Sequence, residues 1–257
     1  VALLADALHN FSDALAFILA LIARRIARRP AHPSMSFGYG RAEVVAALIN
    51  YTALVMIALW LGYEAAARLL DPPSVAGRIV IALAALGVVM NGGTALLTFR
   101  LARDSANIRA AFLHNSADAA TSLAVLLAGI VIQMTGWHLV DPLLTLAISG
   151  WILWHAVHEM GPVIRILMLA APEGAGAEAI AASIRAEPGV AGLHHLHLWQ
   201  IDERRASVEA HLVLTEGAMG PEVLARVKGR LARDFSLTHS TFEMEVEGSP
   251  CAAADCG

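Results

Sequence analysis

Two short patterns in this chain place a histidine and an aspartate four residues apart: His9-Asn10-Phe11-Ser12-Asp13-Ala14 and His114-Asn115-Ser116-Ala117-Asp118-Ala119. On a helix such residues share one face, about one turn or roughly 6 Å apart along the axis. An imidazole nitrogen and a carboxylate oxygen in that relation are metal ligands, and two such pairs on neighbouring helices make a four-ligand site. Both copies lie inside long apolar stretches. An ionisable side chain at the centre of a membrane helix costs about 2.5 to 3.5 kcal/mol on insertion scales, so residues at that depth mark ion pathways and ligand sites.

The elements that must carry these pairs are membrane spans. Hydrophobic residues make up 57% of the chain and charged residues 16%, against about 25% charged in a typical soluble domain. Apolar runs at residues 2–23, 42–68, 78–100, 108–135 and 142–168 are each long enough for a hydrocarbon core about 30 Å thick. The connection after the first run holds Arg24, Arg25, Arg28, Arg29 and Arg41, and the one after the third holds Arg100, Arg103 and Arg109. These two are expected on the cytoplasmic side, with Asp71–Gly77 and Gly136–Asp141, which lack Lys and Arg, outside. The chain starts at Val1 with no recognisable signal peptide. The expectation is six spans originally, five of them here. Measured from the cytoplasmic arginines, Asp13 lies about 16 Å and Asp118 about 13 Å into the bilayer at about 1.5 Å per residue. The two carboxylates are nearly level.

Other polar positions have plainer readings. Asn50 and Asn91 read as interhelical hydrogen-bonding groups. Asp6 shares a face with His9 and reads as orienting it or as sitting at the outer mouth, while His155, His158 and Glu159 sit at the inner end of the last run and read as interfacial. His32, in the Arg-rich connection, reads as solvated or as a peripheral ligand.

The composition changes after Pro172. Residues 1–172, the expected transmembrane domain, carry 11 Lys and Arg against 9 Asp and Glu; residues 173–257 carry 7 against 13. Neither part has the basic excess of a nucleic-acid binder. Residues 173–248 read as a cytoplasmic metal-binding and dimerisation domain, and 249–257 as a cysteine-containing tail. Periodicity predicts a helix over 175–186, strands over 193–201 and 206–214 forming a hairpin, a helix over 221–234 opened by Pro221, and a strand over 240–246. The order αββαβ, a small α+β fold, buries a core between sheet and helices with help from a second copy. His194, His195, His197, His211 and His239 concentrate here with Glu245, Cys251 and Cys256. Alternation along a strand points His195 and His197 one way and His194 the other. Imidazoles with soft thiolates suit zinc better than magnesium or calcium, and a close cysteine pair in a reducing cytosol reads as metal-binding more than as a disulfide.

These residues together resemble the cation diffusion facilitators, specifically the zinc-transporting branch, over essentially the whole chain. Ala5-Asp6, His9 and Asp13 match the Ala-Asp-x-x-His-x-x-x-Asp pattern of the family's second membrane helix, and His114 with Asp118 match its repeat in the fifth. Phe37-Gly38-Tyr39-Gly40-Arg41 with Glu43 looks like the approach to the third helix, and Asp141-Pro142 like that to the sixth. His194-His195-Leu196-His197-Leu198-Trp199, Ala210-His211 and His239-Ser240-Thr241 through Glu245 follow the cytoplasmic pattern strand by strand. The resemblance begins at the family's second helix, so a further helix is expected to precede Val1 in the natural protein, and the segment Leu101–Arg109 lacks the His-rich insertion of many relatives.

The resemblance implies a ferredoxin-like cytoplasmic domain and a homodimeric antiporter in a bacterial inner membrane that exchanges a divalent cation, zinc first and cobalt or cadmium besides, for protons. It implies His9, Asp13, His114 and Asp118 as the transport site. Cytoplasmic zinc at His194, His211, His239, Glu245 and the cysteines is implied as structural or regulatory. Two other classes fit parts of the pattern. A membrane-anchored zinc sensor would not need two matched pairs at one depth, and a membrane metal-dependent oxidase needs many more histidines in close pairs.

Overall fold

The computed structural model describes residues 18–19, 21–70, 77–99, 106–174 and 176–248. Its chain divides into two compact units, one of residues 1–20 and 49–160 and the other of residues 21–48 and 161–257. Among the described residues, four long helices are α1 (Arg41–Leu70), α2 (Gly77–Phe99), α3 (Ala106–Thr135) and α4 (Val140–Leu167), each within two residues of the apolar run that predicts it, while most of the first run, 2–23, lies outside them. Three described stretches, Arg41–Leu70, Asp118–Thr135 and Val140–Leu167, are long and apolar enough to cross a membrane, with a shorter apolar stretch at Ile81–Leu97.

In the first unit the helices are apolar on both faces. Leu54 and Ala58 of α1, Ala84 of α2, Val125 of α3 and Ile148, Ile152 and Ala156 of α4 close one core. Three of those seven are alanines, which let backbones approach. Leu86, Val89 and Met90 of α2 and Met56, Leu59 and Trp60 of α1 face outward. Such an exterior is stable only against lipid, and helices suit it because all their backbone groups bond internally.

The second unit carries α5 (Ala177–Arg185), β1 (Val190–Gln200), β2 (Ala206–Leu214), α6 (Gly220–Phe235) and β3 (His239–Val246). The order is αββαβ as expected. β1 pairs antiparallel with β2, and β3 returns parallel to β2 on its other side. Val208, Ala210, Leu212 and Leu214 alternate along β2 onto the helix-covered face, meeting Ile180 and Ile184 of α5 and Val223, Val227 and Leu231 of α6. The i, i+4, i+8 spacing on α6 is one helical face. Its first turn holds Pro221, and it stops at Ser236, in the left-handed region at φ 57°. Gly189 before β1 has φ 95°, and a β-carbon there would stand 2.7 Å from Val223 Cγ2, so only glycine fits.

The same unit includes residues 21–48, and their approach to α1 is built against the β1–β2 turn. Arg41 donates from Nε to the Ile201 carbonyl at 2.9 Å and from Nη2 to the Gln200 carbonyl at 3.1 Å. Arg205 donates to the Phe37 carbonyl at 3.3 Å, and the Phe37 ring stands edge-on to Trp199 and His239. Gly40 lies so close to the Asp202 carboxylate that a β-carbon would collide with it. His32 is held inside the loop, with Nε2 2.7 Å from the Tyr39 hydroxyl and Nδ1 3.0 Å from Ser34 Oγ.

Candidate functional site

His9, Asp13, Asp6, Cys251 and Cys256 fall outside the described residues, as does the side chain of His114, although α3 carries its backbone. Asp118 is described, and it is 6% exposed. Ser122, one turn further along α3, is fully buried. The carboxylate thus faces protein, not lipid, where an ionisable group in a span is expected to act. In α4, Asp141, Thr145 and Ser149 repeat the four-residue spacing and are also buried. Thr145 donates to the Asp141 carbonyl at 2.8 Å and Ser149 to the Leu146 carbonyl at 3.2 Å. His158 stacks on Trp154 with ring centroids 5.6 Å apart.

The second cluster lies on the sheet face opposite the helices. Register places His194 directly across from His211, and Glu243 and Glu245 beside His211 and Val213. One carboxylate serves both imidazoles: Glu245 Oε1 is 2.7 Å from His211 Nδ1, and Oε2 is 3.4 Å from His194 Nε2. His194, His211 and Glu245 each present a ligand atom within 4.8 Å of the others. The His194 Nε2 atom is buried and makes no hydrogen bond among the described residues. An orphaned buried nitrogen beside a carboxylate and a second imidazole fits a metal ion. Zn²⁺ accepts three such N and O donors with a fourth position open. If His211 binds through Nε2, Glu245 instead orients the ring through Nδ1.

Strict alternation, which predicts His194 turned away from His195 and His197, is overturned here. The pairing slips between His194 and His197, which lies opposite Glu209. Two residues of β1 therefore oppose one of β2, and His195 takes φ 54°. This is a β-bulge, which re-aims side chains by inserting an extra residue. His194 and His195 both flank His211, with centroids 5.1 and 5.0 Å away, and His197 stands edge-on to His195 at 4.7 Å. His239 pairs with Ser207 at the other end of β3, six residues from Glu245, which is about 20 Å at 3.3 Å per residue. Glu243, with Oε2 3.5 Å from His211 Nε2, belongs to the cluster's edge. Its two-residue spacing from Glu245 was the signal for it, since on a strand that spacing shares a face.

Residues 1–168 match the cation efflux transmembrane domain, and residues 172–247 match the cytoplasmic domain of cation efflux proteins. The chain belongs to the cation efflux family. Within this family, the cation diffusion facilitators, it falls in the zinc-type branch. It is similar to the metal cation efflux system protein CzcD of Cupriavidus metallidurans, 33% identical over 261 residues covering 99% of this chain and 80% of that protein. The cadmium, cobalt and zinc/H(+)-K(+) antiporter of Bacillus subtilis is 32% identical, covering 96% of this chain and 81% of its own length. The zinc transporter ZitB of Pectobacterium atrosepticum is 32% identical, covering 96% and 78%. The family's architecture is a membrane domain with a cytoplasmic C-terminal domain, and its members are transporters, not enzymes.

Proposed function

We propose that this chain exports zinc from the cytoplasm in exchange for protons, through a site formed by His9, Asp13, His114 and Asp118. The observation that carries this reading is the burial of Asp118 inside a membrane-spanning helix, four residues after His114 in the sequence. A carboxylate so placed is stabilised when a cation or a proton neutralises it.

The donor set explains exchange. Empty and deprotonated, two carboxylates and two neutral imidazoles carry two negative charges. One divalent cation or two protons restores neutrality, so the two ligands compete for one site. Protonation from outside favours release, and deprotonation toward the cytoplasm favours loading. Mixed imidazole and carboxylate donors favour zinc over manganese or iron and admit cobalt and cadmium. The Bacillus subtilis relative is named for all three metals.

In the cytoplasmic domain, His194, His211 and Glu245 hold a second zinc ion within one chain, with water or a thiolate of Cys251 or Cys256 in the fourth position. That ion is structural or regulatory and not cargo. The chain works as a homodimer in a bacterial inner membrane, and the match to the dimerising cytoplasmic domain supports the pairing.

Uptake of radioactive zinc into inside-out vesicles tests the transport site. Asp118→Ala is expected to abolish pH-driven uptake with protein still in the membrane. Uptake at the wild-type rate would remove Asp118 from the site.

A further inference from the structure

At the approach to α1, the helical stretch ending at residue 27 and the turn between β1 and β2 enclose a cavity of about 280 Å³, lined by Arg24, Arg28, Gly40, Glu43 and residues 202–205. Half of the twelve arginines of this unit have side-chain partners among the described residues. Arg41 holds two carbonyls, Arg205 holds Asp202, and Arg230 lies 2.7 Å from the buried Glu187. Arg24 and Arg28, in contrast, are exposed and have no side-chain partner among the described residues, and the same is true of Arg204 on the opposite wall. Arg25 and Arg29 extend the basic surface.

The acidic groups do not cancel it. Asp202 is committed: its Oδ2 accepts from Arg205 Nε at 2.8 Å, and its Oδ1 from the backbone N–H groups of Arg204 and Arg205 at 3.0 and 2.9 Å. Glu43 and Glu203 then stand against five guanidiniums. Leu21 precedes Arg24 by three residues and Arg28 by seven, so all three share a helical face, and Leu21 and Ile22 are about half exposed. An apolar side chain one turn from the Arg24 guanidinium and two turns from that of Arg28 matches an acyl chain above a phosphate. The 202–205 turn belongs to the part that matches the family's cytoplasmic domain, the side of the membrane whose anionic lipids attract Lys and Arg.

We propose that Arg24, Arg28 and Arg204 bind the phosphate headgroup of an anionic phospholipid of the cytoplasmic leaflet, independently of the transported metal. Guanidinium pairs phosphate through two parallel N–H donors, which suits these residues better than diffuse attraction would.

Native mass spectrometry of the full chain, released from micelles containing equal phosphatidylglycerol and phosphatidylcholine, tests this. The expected result is retention of phosphatidylglycerol with roughly tenfold preference, lost in R24Q/R28Q and kept in R233Q, whose arginine lies on α6. Each basic residue near an anionic surface supports a preference of this order. R204Q, on the separate cytoplasmic turn, is expected to weaken the preference severalfold and decides the matter should R24Q/R28Q fail to fold. Equal retention of both lipids by the wild type, or unchanged preference in the variants, would overturn the proposal. Displacement of the lipid by millimolar glycerol phosphate would also overturn it, marking a soluble-phosphate site instead.

Discussion

Replacing Glu245 by Gln isolates the cytoplasmic zinc reading, because a single carboxylate reaches both His211 and His194 at 2.7 and 3.4 Å. The substitution keeps the size and one acceptor oxygen but removes the charge. Loss of such a ligand or orienting carboxylate costs about 10- to 100-fold in metal affinity. A ligand at 100 times its Kd stabilises the folded state by about 2.7 kcal/mol. The weakened variant at the same zinc concentration would therefore lose about 1.3 to 2.3 kcal/mol of that. For a domain of this size about 1 kcal/mol moves Tm by roughly 4 to 8 °C. Wild-type residues 173–257, which close their own core around Leu212 and Val227, are thus expected to gain roughly 11 to 22 °C on zinc addition. Glu245→Gln should lose about 5 to 18 °C of the gain, while its zinc-free Tm reflects only about one neutral hydrogen bond, near 1 kcal/mol. Scanning calorimetry with and without zinc reads both quantities. A full zinc-dependent shift in the variant would refute the cluster as a zinc site. His239→Ala, at the far end of β3, should leave the shift intact.

Three further outcomes follow from the geometry. Burial alone would raise the Asp202 carboxyl, but the Arg205 hydrogen bond, the N–H groups of Arg204 and Arg205 and the Arg205 charge together hold it below its ordinary 3.8. That stabilisation is present above the ordinary value and is lost as pH falls through the folded one. Asp202→Asn should therefore cost about 1.5 to 3 kcal/mol near pH 7, and urea melts should show the difference from wild type shrinking below about pH 4. Leu212→Ala, at a fully buried centre of the sheet, should cost about 2 to 5 kcal/mol in the same melts. Gly189→Ala, at φ 95° and against Val223, should destabilise by more than about 1 kcal/mol, and an unchanged midpoint would contradict the close approach described.

The parts legible in the sequence were those governed by local periodicity. Continuous apolar runs gave the long helices almost to the residue, because a span must satisfy its own backbone whatever its neighbours are. The strand predicted over 206–214 is β2 to the residue, and the structure shows Val208, Ala210, Leu212 and Leu214 alternating on its buried face. What escaped was non-local. The bulge at His195 reverses the alternation of β1, and it depends on how two strands pair, not on either alone. Arg41 reads as one of several basic loop residues until its donors are found on carbonyls about 160 positions away. Glu243 gains its place beside His211 only through the parallel register of β3.

The most direct measurement follows zinc and internal pH together in inside-out proteoliposomes carrying the wild-type chain or an Asp13→Ala, Asp118→Ala double variant. A site that holds either one divalent cation or two protons predicts zinc entry with about two protons leaving per ion, and neither movement in the variant. Zinc entry without proton movement, or exchange that survives loss of both carboxylates, would contradict it.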